Sequence, residues 1–483
     1  MKSVTEIVES LKASPAGRLE GVFFIGIGGI GMSALARYFN AKGIAVSGYD
    51  KTETSLCKQL QEEGIQIHYE DNLEFIDKEA RLVIYTPAVP KDHKELNYYL
   101  DNNYTVTKRS DVLGAITAGD FNICVAGTHG KTTTSSMVAH ILRHSGFGCN
   151  AFLGGIAVNY NTNFWPQVPM KLGSSEREIS VAEADEYDRS FLKLSPDIAI
   201  ISSMDPDHLD IYGTAENMEQ AFIDFAAKIK PGGLLISKYG LKRNNDLKAP
   251  QHITYDLEND KADINSYNIG INNGSYRFDT KVTGRVIKGI KLNMGGRHNI
   301  ENVTAAIAAA AQLDIADEKI KEAVAAYRGV KRRFEYIIKT DHLVFVDDYA
   351  HHPEELRALI TGAKNLYSDK KCIVVFQPHL FSRTKDHADG FAEVLDIADE
   401  VILLPIYPAR ELPMEGVTSE MILERMHNEN KMVLSKEDLL KHINQEQTAH
   451  VEEGYNGILF ITAGAGDIDT LVEPIKEILI NQN

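Results

Sequence analysis

"VAGTHGKTTTSS", residues 125–136, is the stretch on which the reading of the fold turns. It looks like a phosphate-binding loop, but the common pattern G-x-x-x-x-G-K-[ST] needs glycine at 125, where Val125 stands. Ile123 to Ala126 reads as a short buried strand and Thr132 to His144 as a helix ending at Gly146, so the local plan is strand, glycine turn, helix. In such a turn the backbone N–H groups near Gly127, His129 and Gly130 converge on an anion with the helix N-terminus. Lys131 adds a point charge and Thr132 a hydroxyl for Mg²⁺. The shortened spacing therefore points to a different family but the same ligand, a nucleotide phosphate.

A second glycine loop lies upstream. Residues 21–50 hold an apolar strand, G-x-G-x-x-G at Gly26, Gly28 and Gly31, a helix with Leu35 and Phe39 four apart, and a second strand ending at Asp50. Asp50 follows Gly31 by 19 residues, the spacing of a dinucleotide-type fingerprint with phosphate on the helix N-terminus and the acid near a ribose. Glycines serving only close helix–sheet packing are the plainer alternative. The uncharged run Gly21–Ala36 holds five glycines and is shorter than the roughly 20 residues that span a membrane, so no insertion is expected.

The bulk properties narrow the class. With 483 residues the chain needs more than one core, and three domains are expected, 1–118, 119–330 and 331–483. A net charge of -17 gives no electrostatic case for nucleic acid or an anionic membrane surface. Cys57, Cys124, Cys149 and Cys372 are scattered without C-x-x-C spacing, which argues against a disulfide framework or a zinc site and fits a reducing cytoplasm.

"LVIYTPAVP" (82–90) and "YTVTKRSD" (104–111) continue the strand and loop alternation. "EISVAEADEYD" (178–188) and "DIAIISSMDPDHLDIYG" (197–213) are strands that end in acids or histidine, where ligands of open α/β sheets sit. Glu183, after Ile179 and Val181 on an alternating strand, is placed at a tip where a carboxylate can hold Mg²⁺. His208 reads equally as a second ligand or as a structural histidine, and Asp205, Asp207 and Asp210 as turn, cap or ligand residues.

Around Asn272-Asn273-Gly274 the pattern changes to hairpins, and then "GGRHNIENVTAAIAAAAQLD" gives a helix with Ile300, Val303, Ile307 and Ala310 on one face. Asn299 reads as its N-cap, or as an amide for an adenine edge. Beyond 331, "LVFVDDYAHHPEE", "CIVVFQPHLFSRTKD", "EVILLPIY" and "GILFITAGAGDID" are four β–loop–α starts, the mark of another doubly wound domain.

The ordered run "GTHGKTTT", "EADEYDRSF", "DPDHLDIYG", "GRHNIENVTAA", "RRFE", "DDYAHHP" and "FQPHLFSRT" resembles the Mur ligase family over essentially the whole chain. The resemblance implies an α/β fold of three domains: an N-terminal Rossmann-like UDP-binding domain, a central P-loop ATPase-type domain and a C-terminal Rossmann-like domain. It implies ATP and Mg²⁺ as cofactors and amide formation on the carboxylate of UDP-N-acetylmuramate through an acyl phosphate, in the peptidoglycan precursor synthesis of a bacterial cytoplasm. "GIGGIGMSALA" (26–36) together with "YAHHP" favours L-alanine as the amine, with an intact tripeptide as the alternative.

By the same resemblance Gly26, Gly28, Gly29, Ile30, Gly31 and Asp50 bind the UDP-sugar. Gly127, Thr128, His129, Gly130, Lys131, Thr132, Thr133, Asn299, Asn302, Arg333 and Asp348 bind ATP, and Thr132, Glu183 and His208 hold metal. Tyr349, His351, His379 and Arg383 serve the amino acid and closure of the last domain, and Lys131, Glu183, His208 and Arg383 carry the catalysis. Within "DDYAHHP", Asp347 stands as an alternative to Asp348 and His352 to His351. No lysine is placed for the carbamylated lysine that several relatives carry.

Two other classes compete. A nicotinamide-dependent oxidoreductase would use the first loop and leave the second, with Glu183, idle. A non-catalytic nucleotide-gated scaffold would have no need of Lys131, Thr132, Glu183 and His208 together.

Overall fold

Apolar strands feeding helices build three sheets in the computed structural model, which describes residues 3–12, 21–167, 178–272, 274–409, 411–445 and 454–482. The first sheet holds β1 (Gly21–Ile25), β2 (Ala45–Tyr49), β3 (Gln66–His68), β4 (Ala80–Tyr85) and β5 (Val106–Lys108). All are parallel, in the order β3-β2-β1-β4-β5. The order reverses beside β1, and the glycine loop that follows β1 opens at that switch point.

The second sheet holds β6 (Phe121–Ala126), β7 (Asn150–Ala157), β8 (Thr162–Trp165), β9 (Ile179–Glu183), β10 (Ile198–Ile201), β11 (Leu234–Lys238), β12 (Gln251–Leu257), β13 (Ile264–Ile271), β14 (Tyr276–Val282) and β15 (Arg285–Leu292). Its order is β15-β14-β13-β12-β11-β10-β6-β9-β7-β8. Parallel pairing of β6 with β9 on one side and β10 on the other brings the glycine loop after β6 between the tips of its two neighbours. The third sheet holds β16 (Glu335–Lys339), β17 (Leu343–Asp348), β18 (Lys371–Phe376), β19 (Glu400–Leu403), β20 (Lys431–Val433) and β21 (Ile458–Ala463), in the order β16-β17-β21-β18-β19-β20. Only β16 runs antiparallel to its neighbour.

By its contacts the chain divides into two compact units, one of residues 1–267, 279–290 and 301–325, the other of 268–278, 291–300 and 326–483. The first sheet and most of the second thus share a unit. A helix the sequence pattern did not single out, Val4–Lys12, buries Ile7 and Val8 and contacts helix Arg109–Gly119. Helix Ile30–Ala41 lies on β7 and β8, with the Tyr38 ring 5.3 Å from Phe152 and 6.0 Å from Phe164.

The strand expected at 123–126 is β6, and the expected helix runs Lys131–His144 with Gly146 at φ 80° just beyond it. β13, β14 and β15 are sheet neighbours in sequence order, as hairpins require, although Asn273 itself lies outside the described residues. Ile300, Val303, Ile307 and Ala310 are all buried. Asn299 corrects the N-cap expectation. Its helix begins at Arg297, after Gly296 at φ 85°, so Asn299 sits inside the first turn and its amide donates to the Gly295 carbonyl at 2.6 Å.

In the second unit Asp347 and Thr462 are register partners on β17 and β21, and the threonine hydroxyl donates to Asp347 Oδ1 at 2.6 Å. Arg332 Nε stands 3.4 Å from Oδ2. Burial outweighs the threonine and the arginine and pushes the carboxyl up from 3.8 to about 6. The folded chain therefore holds this proton more tightly than the unfolded chain does. The resulting stability is fully present below about 3.8 and is lost as pH rises through about 6. It amounts to at most about 3 kcal/mol. Asp347→Asn is accordingly expected to gain in thermal midpoint relative to wild type between pH 4 and pH 7.5. Parallel midpoint curves for the two proteins would contradict this.

Candidate functional site

The loop after β6 has the geometry of an anion cradle. Gly127 at φ 134° and Gly130 at φ 81° adopt backbone conformations that side chains disfavour, and a Cβ on Gly130 would come within 2.6 Å of Asn302 Oδ1. Helix Lys131–His144 starts at Gly130 with no side-chain cap and no acid of its own in its first turn, so its positive end is directed at the loop. The loop is held from the segment after β10. Thr128 Oγ1 donates to the Asp205 carbonyl at 2.7 Å, Ser203 Oγ accepts the His129 N–H at 2.8 Å, and Ser202 Oγ donates to the His129 carbonyl at 2.5 Å. Asp205 thus holds the loop through its carbonyl, and its carboxylate stands 3.6 Å from His129 Nε2.

Two carboxylates, Glu183 at the end of β9 and Glu186 just beyond it, complete the loop. Lys131 Nζ donates to the Gly127 carbonyl at 2.9 Å and pairs with Glu186 Oε1 at 2.6 Å, the glutamate being fully buried. Thr132 Oγ1 bonds both oxygens of Glu183, at 3.0 and 2.9 Å, and Gly154 N–H donates to Glu183 Oε2 at 3.0 Å. Burial raises the Glu183 carboxyl above its ordinary range, against the opposing pull of Lys131 and the Thr132 hydroxyl. A carboxylate and a hydroxyl side by side form an oxygen donor set of the kind Mg²⁺ takes.

His208 stands apart from that pair. It sits at φ 49° at the start of the short helix Leu209–Tyr212, edge-on to Tyr187 at 5.3 Å between ring centroids and 3.7 Å from Asp207. Among the described residues no group of three or more His, Cys, Asp or Glu side chains gathers as a metal site. Asn302 bonds the P-loop helix, its Oδ1 accepting from Thr134 Oγ1 at 3.2 Å. Thr133 is buried in the same first turn.

The first glycine loop has a different lining. Helix Ile30–Ala41 begins after Gly29, again without a side-chain cap or first-turn acid. Asp50 Oδ2 accepts the Gly28 N–H at 2.7 Å, so the expected ribose acid also fastens the loop. A Cβ on Gly28 would lie 2.5 Å from Cys57 Sγ and 2.9 Å from Asp50 Oδ2, so close packing already requires this glycine. Gly31 faces the Arg109 guanidinium, whose NH1 would stand 2.8 Å from an added Cβ. Arg109, a basic residue at the start of helix Arg109–Gly119, was not picked out from the sequence.

In the second unit the paired alternatives separate. Asp347 is bound into the sheet, whereas Asp348 accepts the N–H groups of Phe334 at 2.6 Å and Ala350 at 2.8 Å. Burial raises it to about 6 despite Arg333. His352 caps helix Pro353–Leu366 in a capping box with Glu355. His351 instead joins a cluster with its ring 5.3 Å from Tyr349 and 6.2 Å from His379, and Arg383 NH1 donates to His379 Nδ1 at 3.3 Å. That bond puts the His379 proton on Nε2, and burial with Arg383 and His351 nearby lowers its pKa.

Glu186 is the functional side chain that sequence reasoning missed. It is the second glutamate of "EADE", and only the 3₁₀ turn Tyr187–Lys193 that follows it reveals that it faces Lys131.

Three family profiles cover this chain: Mur ligase family, catalytic domain, at residues 22–120; Mur ligase middle domain at 125–310; and Mur ligase, glutamate ligase domain, at 332–466. UDP-N-acetylmuramate–L-alanine ligase of Flavobacterium johnsoniae is 47% identical over 470 residues, 96% of this chain and 99% of the relative. The enzyme of that name from Porphyromonas gingivalis strain W83 is 46% identical over 95% and 99%. Among solved structures, UDP-N-acetylmuramate-alanine ligase from Thermotoga maritima matches with TM-score 0.77 at 27% identity, covering 96% of this chain and 100% of its own. A murein peptide ligase from Psychrobacter arcticus shares the fold, with TM-score 0.64 at 22% identity over 96% and 98%. With all three profiles matched in order and such identity along nearly its full length, the chain belongs to the Mur ligase family.

Proposed function

We propose that this chain joins L-alanine to the carboxylate of UDP-N-acetylmuramate at the expense of ATP, releasing ADP and phosphate. The observation that carries the reading is the set of near full-length relatives of that name at 44–47% identity. The tripeptide-adding alternative has the weaker support of a fold-level likeness.

A carboxylate is a poor electrophile, so the γ-phosphoryl group of ATP is transferred to it first and phosphate then leaves as the amine attacks. The P-loop amides and Lys131 bind and orient the phosphates, and Glu186 fixes where the lysine charge lies. Mg²⁺, held by Thr132 and Glu183 with His208 as the candidate further ligand, would neutralise charge on the phosphate oxygens. Asn299, Asn302, Arg333 and Asp348 are the proposed remaining contacts to ATP.

The loop Gly26 to Gly31 and the uncapped start of helix Ile30–Ala41 would seat the UDP diphosphate, with Asp50, which accepts the Gly28 N–H, beside the ribose. Arg383, as a planar cation, suits the carboxylate of the amino acid, with His379, His351 and Tyr349 completing that cluster. The proposed division of labour is 1–118 for the UDP-sugar, 119–330 for ATP and 331–483 for the amino acid and closure. No helix among the described residues is long and apolar enough to cross a membrane, and a cytoplasmic place fits four buried free thiols.

Lys131→Ala is expected to lose ADP formation by a factor on the order of 10³ while UDP-sugar binding survives, since phosphoryl transfer depends on positioning and charge. Near wild-type ADP release would remove the loop from the mechanism. With oxygen-18 in the muramoyl carboxylate, mass spectrometry of the released phosphate should find one label per turnover. Unlabelled phosphate alongside full amide formation would falsify the acyl-phosphate route.

A further inference from the structure

A buried polar contact ties the first glycine loop to the second sheet. Asn163, on β8 and fully buried, reaches the first turn of helix Ile30–Ala41, where its Nδ2 donates to the Ile30 carbonyl at 2.6 Å and to Ser33 Oγ at 2.9 Å. Its Oδ1 accepts from Arg37 NH1. The remaining face of that guanidinium is taken by Glu63, at 2.9 Å from Nε to both carboxylate oxygens and 2.7 Å from NH2 to Oε1. A carbonyl can only accept and a guanidinium can only donate, so one amide orientation satisfies both neighbours. Aspartate in its place would set a carboxylate against the Ile30 carbonyl, and leucine would remove all three bonds, leaving Arg37 only Glu63 and the Ile30 carbonyl only the Ser33 hydroxyl of these contacts.

The hairpin that carries Asn163 is also fixed at the other nucleotide site. β7 and β8 pair antiparallel, and Gly154 on β7 donates to Glu183, the carboxylate bonded to Thr132. One hairpin is therefore bonded to the proposed metal-binding acid and to the turn whose N–H groups face the proposed UDP diphosphate.

We infer that Asn163 is a positioning residue for the sugar-nucleotide site. It sets the first turn of helix Ile30–Ala41 against hairpin β7–β8, and through Gly154 and Glu183 it links UDP-sugar affinity to occupancy of the ATP site. The inference rests on the assignment of the first glycine loop to the UDP-sugar. Coupling of this kind is reciprocal, so each ligand should tighten the other by the same factor.

The test is calorimetry on the full chain with UDP-N-acetylmuramate, in the absence and presence of Mg²⁺ and a non-hydrolysable ATP analogue. Asn163→Asp should weaken UDP-sugar binding about tenfold, the scale of one buried hydrogen bond lost, and remove its dependence on the ATP analogue. Binding of the analogue alone should stay at the wild-type value. In turnover the loss should appear in KM for the sugar nucleotide and not in kcat at saturation, a split that general destabilisation does not produce.

Ser33→Ala, which removes the hydroxyl's bonds to Asn163 and to the Ile30 carbonyl and no charge, serves if the aspartate variant does not fold, with a smaller shift of the same kind expected. Wild-type affinity and wild-type coupling in the folded variants would overturn the role of Asn163 while leaving the UDP-sugar site intact. A wild-type chain that bound no UDP-N-acetylmuramate would instead overturn the assignment of the first loop, and this inference with it.

Discussion

Lys131 sits at the proposed phosphate site, and the fold keeps its charge there without a phosphate. A buried ammonium is costly unless paired. Glu186 supplies the pair at 2.6 Å and the Gly127 carbonyl a second acceptor. The parallel placement of β9 beside β6 brings the segment that carries Glu183 and Glu186 alongside the glycine loop. Substituting valine for the first glycine of the common motif leaves this arrangement whole, because Val125 is a strand residue, fully buried and in register with Glu183.

The two glycine loops were legible in the sequence because their signals are local. Glycine spacing, an apolar run before and a helical period after are all visible within 30 residues, and β1, β6 and the helices after them follow that reading. Glu183 was legible from strand alternation. Glu186 was not, because the direction of its side chain depends on a 3₁₀ turn that no periodicity announces. Asn163 was hidden for a stronger reason, since its partners lie 126 to 133 residues away and its own surroundings, "NTNFW", read as an ordinary strand edge. Adjacent twins are the third kind of difficulty. Asp347 and Asp348, or His351 and His352, differ only in which side of the chain each faces, and tertiary contacts alone assign one to the scaffold and the other to the cluster.

The same contacts explain why the first sheet and most of the second form one unit. Helix Ile30–Ala41 belongs to the first sheet by sequence, but Tyr38 packs on Phe152 and Phe164, Arg37 meets Asn163, and Lys42 pairs with Glu178. A chain built for three substrates has thus joined two of its nucleotide-type loops through one hairpin. The cluster of Tyr349, His351, His379 and Arg383, proposed for the amino acid, lies in the second unit.

The central claim is that two nucleotides and one small amine meet in a single ligation. It is tested most directly by measuring ADP release and amide product together, with purified full-length protein given ATP, Mg²⁺ and UDP-N-acetylmuramate, and then L-alanine or an intact tripeptide in turn. The account predicts stoichiometric ADP and UDP-N-acetylmuramoyl-L-alanine with L-alanine, and little product with the tripeptide. Efficient tripeptide ligation with L-alanine inert, or ADP release that needs no sugar nucleotide, would contradict it.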